Sequence, residues 1–229
     1  MIGASVFTLL PSRSAIAQVI GSSTGAAIFS PVDASALGVS RLAGVGLSIT
    51  DAEFVVGGGL RMAGGSLRGY AGGGNFAWST GLGYSSTLVR RSLAGGFLHG
   101  TIGGEVTGGY RHRSYSSNAG ALNMTIPVGI SVGDPDGKSL MVYGAPYAEL
   151  GVAQVRVGYC SYNGTCNQPA WARRAMSAAG VGVGARASVG RFAIGAFARD
   201  VGGRGYLLQE WTIVSVGLSF QLGTATGSN

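Results

Sequence analysis

The sequence predicts an all-β protein, an antiparallel up-and-down transmembrane β-barrel over residues 39–222, and three observations lead there. The chain is apolar yet cannot be helical, its large hydrophobic residues recur with a period of two, and the face opposite them is small and polar rather than charged. Hydrophobic residues make up 46% of the chain and charged residues 11%, against roughly 25% charged in an average soluble domain. A helical membrane span needs about 20 predominantly apolar residues. Here the apolar stretches are interrupted every few residues by Gly, Ser, Thr or Arg, as in Ala179-Gly180-Val181-Gly182-Val183-Gly184-Ala185. The 43 glycines would weaken any helix further. A hydrophobic backbone that cannot be helical must satisfy its polar groups in sheets, and in lipid only a closed barrel does so.

The alternation is longest at Leu122, Met124, Ile126, Val128, Ile130 and Val132, opposed by Asn123, Thr125, Pro127, Gly129 and Ser131. Thr212, Val214, Val216, Leu218, Phe220 and Leu222 repeat it near the carboxyl terminus. Val181, Val183, Ala185 and Ala187 do so against Gly180, Gly182, Gly184, Arg186 and Ser188. Phe54, Val56, Leu60 and Met62 share a face, with Val55, Gly57, Gly59 and Arg61 opposite. Tyr70, Phe76, Trp78, Leu82, Tyr84 and Leu88 hold even parity across an expected hairpin. Farther on, Leu98, Ile102, Val106 and Tyr110 are expected outside, with His99, Thr101, Glu105, Thr107 and Arg111 on the other face. A soluble sandwich exposes a strongly charged face. A transmembrane barrel instead turns the apolar face to lipid and keeps small or polar residues within, which is the pattern here.

Tight and long connections alternate, as short turns at one rim and longer loops at the other require. Asp134-Pro135-Asp136-Gly137 reads as a type I turn, and Val189-Gly190-Arg191 as another tight reversal. The segments 113–120, 158–173 and 201–210 read as the long connections. Eight strands result if the first lies near Phe54, the count favoured on sequence. Ten result if Leu42 to Ile49 and a hairpin around residues 63–66 also count. Trp78, Tyr110, Tyr143, Tyr147, Trp171, Tyr206 and Trp211 fall near strand ends, where interfacial girdles place aromatic residues.

The amino terminus reads as a signal peptide over residues 1–17. Ile2 to Leu10 is a short apolar stretch, and Ala15-Ile16-Ala17 before Gln18 has the small-x-small form of a cleavage site. Against this, no basic residue precedes the stretch, and Pro11 and Arg13 interrupt the approach to the site. Residues 18–38 read as a flexible periplasmic lead-in or part of the first strand, and residues 223–229 as a tail. Cys160 and Cys166 enclose the polar stretch Ser161-Tyr162-Asn163-Gly164-Thr165. A closed loop of this kind suits a local disulfide in an oxidising compartment. Two cysteines without a nearby His make half a zinc site at best.

The last strand carries the most specific signal. Ser215-Val216-Gly217-Leu218-Ser219-Phe220-Gln221-Leu222 resembles the carboxy-terminal insertion signal of small Gram-negative outer-membrane β-barrel proteins. That pattern is polar, any, Gly, any, any, aromatic or apolar, any, apolar, and Ser215, Gly217, Phe220 and Leu222 fill its defined positions. The chain departs from it in ending the motif on Leu rather than Phe and in continuing from Gly223 to Asn229. The resemblance implies recognition by the outer-membrane assembly machinery and a place in the bacterial outer membrane. Outside this strand the likeness covers about residues 40–222 as architecture alone.

No catalytic or metal-binding constellation stands out, and no cofactor is expected. Gly21-Ser22-Ser23-Thr24-Gly25 matches a nucleophile elbow in letters only, since such an elbow sits between a strand and a helix. Gly180-x-Gly182-x-x-Ala185 has no helix after it and reads as strand rather than as a dinucleotide fingerprint. His112 beside Ser114 and Ser116, with Asp200 or Glu210 to orient it, is the one candidate for hydrolase chemistry. That chemistry demands mutual hydrogen-bond reach, which the spacing does not promise. The net charge of +7 comes from 16 basic and nine acidic residues. The arginines are scattered, with only Arg90-Arg91 and Arg173-Arg174 adjacent, so no nucleic-acid partner is expected. Arginines facing lipopolysaccharide phosphates or lining the lumen account for the balance. Glu105, Glu149 and Arg186 are expected to point inward, where a charge must find a partner or water. A salt-bridged plug is favoured over an ion pathway, because side chains just fill a barrel of about eight strands. The expected function is an envelope structural or surface-interaction barrel, monomeric and not an enzyme. A small porin-like channel is the first alternative and a barrel-embedded lipid-modifying enzyme the second.

Overall fold

The computed structural model describes residues 7–8, 40–49, 53–62, 65–74, 77–94, 97–113, 117–133, 138–157, 159–160, 170–203 and 211–222. The wall consists of β1 (Ser40–Ser48), β2 (Glu53–Met62), β3 (Gly65–Gly74), β4 (Ala77–Ala94), β5 (Leu98–Arg113), β6 (Ser117–Thr125), β7 (Val128–Gly133), β8 (Lys138–Val157), β9 (Ala170–Val189), β10 (Phe192–Gly203) and β11 (Trp211–Leu222). Every neighbouring pair is antiparallel, and β11 pairs with β1 to close the cylinder. Outside the wall, Phe7 and Thr8 pair with Cys160 and Tyr159.

β6 and β7 are two halves of one wall strand, which makes ten strands in all. The break is Ile126-Pro127, where proline cannot donate to a ladder. Its neighbours accommodate it: the Ile126 amide donates to the Pro146 carbonyl (3.0 Å), and the Gly103 amide donates to the Pro127 carbonyl (2.8 Å). The register is unchanged across the gap, with Glu105 opposite Thr125 above it and Ile102 opposite Val128 below. The antiparallel barrel predicted from the sequence therefore stands, and its strand count is the larger of the two considered. Both conditions set for ten are met, since β1 covers Leu42 to Ser48 and β2 and β3 turn around residues 63 and 64.

The two faces of the wall are inverted relative to a soluble protein. Val216, Leu218, Val183, Val142, Ile130, Met124 and Leu82 are between 38% and 66% exposed. Ser215, Ser79, Arg199, Glu53, Glu149 and Thr107 are all at most 5% exposed. Burying an apolar side chain contributes about 1.5–3 kcal/mol. A water-soluble fold would not forgo that on every strand while enclosing its arginines and carboxylates. Only an apolar surrounding makes the arrangement favourable.

Two local departures from strict alternation have clear causes. Leu88 is an extra residue between the pairs Thr87–Gly103 and Val89–Ile102. This bulge lets Leu88 and Val89 both face outward, 64% and 45% exposed, and brings Arg90 opposite the buried Thr101. The second departure corrects the reading of Tyr70. Grouped by parity with Trp78, Leu82, Tyr84 and Leu88, it instead lies inside, 7% exposed, on the face of Ser66 and Arg68. The hairpin pairs Gly74 with Ala77 and Gly73 with Trp78, so the outward positions change from odd to even across it. Phe76 lies outside the described residues.

Segment 113–120, expected as a long connection, is mostly wall. β5 runs to Arg113 and β6 begins at Ser117, with Ala119 only 2% exposed. Likewise Val201–Gly203 complete β10 and Ala170–Arg173 begin β9. The expected turn at 134–137, the remainder of the other two loops, the lead-in, the tail and all of the expected signal peptide except Phe7 and Thr8 lie outside the described residues. At Gly190 the tight reversal has φ of 56°, a conformation glycine adopts without a steric cost.

Candidate functional site

Because strand residues alternate between faces, each wall strand delivers every second side chain to the interior. Near the rim formed by β2, β4 and β5, the Glu53 carboxylate accepts a hydrogen bond from the Ser79 hydroxyl and lies 3.5 Å from an Arg111 guanidinium nitrogen. Across the lumen, Arg199 donates to Glu149 at 2.8 Å, and its guanidinium carbon sits 3.5 Å from the centroid of the Tyr147 ring. Lower down, Arg68 donates to Ser66 (2.9 Å) and to Ser85 (2.6 Å), whose hydroxyls are themselves 3.0 Å apart. Arg186 donates to Ser219 (2.9 Å). Thr107 donates to Glu105 (3.0 Å).

The lumen also holds rings. Tyr143 and Phe197 stack with centroids 6.0 Å apart, beside Met141 and Ala145. Glycine creates their space. A Cβ at Gly184 would overlap the Tyr143 ring, at Gly182 the Phe197 ring, and at Gly81 the Tyr70 hydroxyl. Each of these three glycines faces a bulky inward side chain from a neighbouring strand, which gives these positions a packing reason. Ten strands enclose more room than the eight for which the plug was argued. These rings and the buried side chains of Arg68, Arg186 and Arg199 lie on the inner face.

The residues singled out in the sequence are thus distributed rather than brought together. Glu149 is in an ion pair, but with Arg199 and not with Arg186, which bonds Ser219 instead, while Glu105 meets Thr107. Glu53, Arg68 and Arg199 are luminal residues that sequence reasoning missed. Parity marks the last of these, since Arg199 shares the inner face with Phe197 and Ala193 on β10. Of the terminal-strand motif, Ser215 is fully buried in the lumen and Gly217 lies between Ser215 and Ser219 on that face. Phe220 faces outward with its ring 4.8 Å from that of Phe192, and Leu222 is 44% exposed.

His112 belongs to the other side of the wall. Its Nδ1 lies 2.6 Å from the Asn118 Oδ1, and its ring is 5.8 Å from Trp78, which in turn neighbours Tyr110 at 5.4 Å. The described contact is thus with an amide and not with a hydroxyl or carboxylate. Ser114, Ser116 and Glu210 lie outside the described residues, as does the Asp200 side chain. Cys160 lies on the short pairing outside the wall, and Cys166 is outside the described residues. Among the described residues no group of three or more His, Cys, Asp or Glu side chains is placed to hold a metal ion.

No protein-family model matches the chain, and no curated protein matches it in sequence. Among solved structures, it is similar to the N-terminal β-barrel domain of Pseudomonas aeruginosa OprF. The match has 14% sequence identity and a TM-score of 0.32, covering 80% of this chain and 96% of that one.

Proposed function

We propose that the chain is an integral β-barrel of the bacterial outer membrane with an envelope structural or surface-interaction role. The inversion of the wall carries this reading: apolar side chains outside on every strand, ion pairs and hydroxyls within. The likeness of the terminal strand to an insertion signal supports delivery by the outer-membrane assembly machinery, and the closed sheet leaves no open edge to pair with a second copy, which favours a monomer. Cell fractionation combined with gel mobility tests it. The protein should sediment with outer membranes and run differently before and after boiling. Recovery in a soluble fraction with unchanged mobility would refute the reading.

A second reading, a small porin-like channel, is favoured by the ten-stranded wall and the polar inner face. The Tyr143–Phe197 stack and the Arg199–Glu149 pair argue for narrow or closed passage. Planar-bilayer recordings separate the two: a plugged barrel gives no steady conductance, and Arg199→Ala with Glu149→Ala should open one if these side chains are the obstruction. The lipid-enzyme alternative has His112 as its sole candidate, and unchanged lipid composition on His112→Ala would remove it.

A further inference from the structure

The outer wall changes character along β8 and β9. Val142 and Val152 on β8, with Val181 and Val183 on β9, are each more than half exposed. An apolar groove of about 660 Å³ runs beside them, walled by Val142, Val183 and Val214 and floored by Ala185 and Ala196. Beyond Val152 the same face turns to Gln154 and Arg156. Opposite them in register stand Arg173 and Trp171, Arg173 facing Gln154 and Trp171 facing Arg156. Both arginines are exposed. They occupy diagonal positions on adjacent strands, which are roughly 7–8 Å apart and within reach of long side chains. The row continues through Asn118 and His112 to Trp78.

The carboxylates with described side chains are all on the other face: Glu53 and Glu149 are buried in the lumen and Glu105 bonds the buried Thr107. Two like charges held at diagonal positions on one face, with none of the described carboxylate side chains beside them, repel. An anion seated between them turns that repulsion into two charge-assisted contacts. An indole beside guanidinium groups, directly above an apolar strip, is the sequence of chemistries across a membrane interface.

We propose that this rim binds the phosphate headgroup of an anionic membrane lipid. Arg156 and Arg173 contact the phosphate, Trp171 lies at the headgroup boundary, and an acyl chain follows the strip of Val152, Val181 and Val183 toward the groove. The inference rests on the membrane-barrel reading above.

The test is native mass spectrometry of the full chain released from micelles containing equimolar phosphatidylglycerol and phosphatidylcholine. Wild type should retain phosphatidylglycerol preferentially. Arg156→Gln and Arg173→Gln should each lower that preference about fivefold, from about 1 kcal/mol per cation near a lipid surface. Lys138→Gln, at the opposite rim, should leave it unchanged. The preference should also fall with added salt, a measurement that needs no variant. Equal retention of the two lipids, a preference unaltered in the double variant, or displacement of the lipid by an equal concentration of inorganic phosphate would overturn the proposal. Retention of neither lipid by a protein soluble without detergent would instead overturn the membrane reading beneath it.

Discussion

The rings of Tyr143 and Phe197 stack across Gly184, which lies directly opposite both of them in the ladder, Tyr143 on one side and Phe197 on the other. Three strands thereby contribute two rings and one absent side chain to a single layer of the lumen. The absence matters as much as the rings, because a Cβ at Gly184 would overlap the Tyr143 ring.

Gly184→Ala should therefore cost about 1–3 kcal/mol, the usual penalty for overpacking. Gly144→Ala, next to Tyr143 in sequence but at a position where an added methyl group meets open space, should be close to neutral. Urea unfolding of the detergent-solubilised barrel, read by the loss of its unboiled gel mobility, compares them. Equal midpoints for the two variants would mean that the ring layer does not depend on Gly184.

Breaking the Arg199–Glu149 pair from one side should be worse than removing both members. Arg199→Met leaves a buried carboxylate behind, and such losses run to about 3–5 kcal/mol. The double variant Arg199→Met with Glu149→Gln should recover part of that. A double-mutant cycle on the same unfolding midpoints measures the coupling, and strict additivity would show that the 2.8 Å contact contributes nothing to stability.

On the terminal strand, adjacent residues should differ in what surrounds them. Val216 is 38% exposed and Ser215 is 0% exposed. Val216→Arg should destabilise the barrel by roughly 2–4 kcal/mol near the bilayer midplane. Val216→Cys should be quenched by a lipid-soluble probe, whereas Ser215→Cys should be protected from lipid-soluble and water-soluble reagents alike. Reaction of Ser215→Cys with the water-soluble reagent would reveal an open lumen at that depth.

For the cysteines, the expectation is a closed loop between Cys160 and Cys166. Unreduced native protein should then have no titratable thiol, and the paired change of both residues to Ser should leave barrel assembly intact, since Cys160 pairs outside the wall. Stoichiometric thiol labelling before reduction would contradict the pairing.

The wall was legible because period two is a local property. Leu122 to Val132 alternate through Pro127 without a fault, and the structure keeps one register across that break. What could not be read were relations between strands. Whether Tyr70 faces in or out depends on the parity of a hairpin, and whether Leu88 is an extra residue depends on what β5 offers opposite it. Likewise Glu149 could be assigned to the interior from its own strand. Its partner Arg199 sits on β10, and β9 lies between them. Pairing over an intervening strand depends on the stagger of three strands, which the alternation alone does not encode.

Closure of the wall sets a constraint in time. Ser48 on the first wall strand stands opposite Ser215 on the last, and the edge of Arg41 to Ser48 that does not pair with β2 finds its partner in residues Ser215 to Leu222. Contacts so distant along the chain form slowly because loop entropy is lost before they stabilise anything. The sheet cannot be sealed while the ribosome still holds β11. Until then the sheet has two unsatisfied edges and an uncovered apolar flank. On the membrane-barrel reading proposed above, the rate at which the first and last wall strands meet, rather than the strength of any inner contact, is expected to govern assembly.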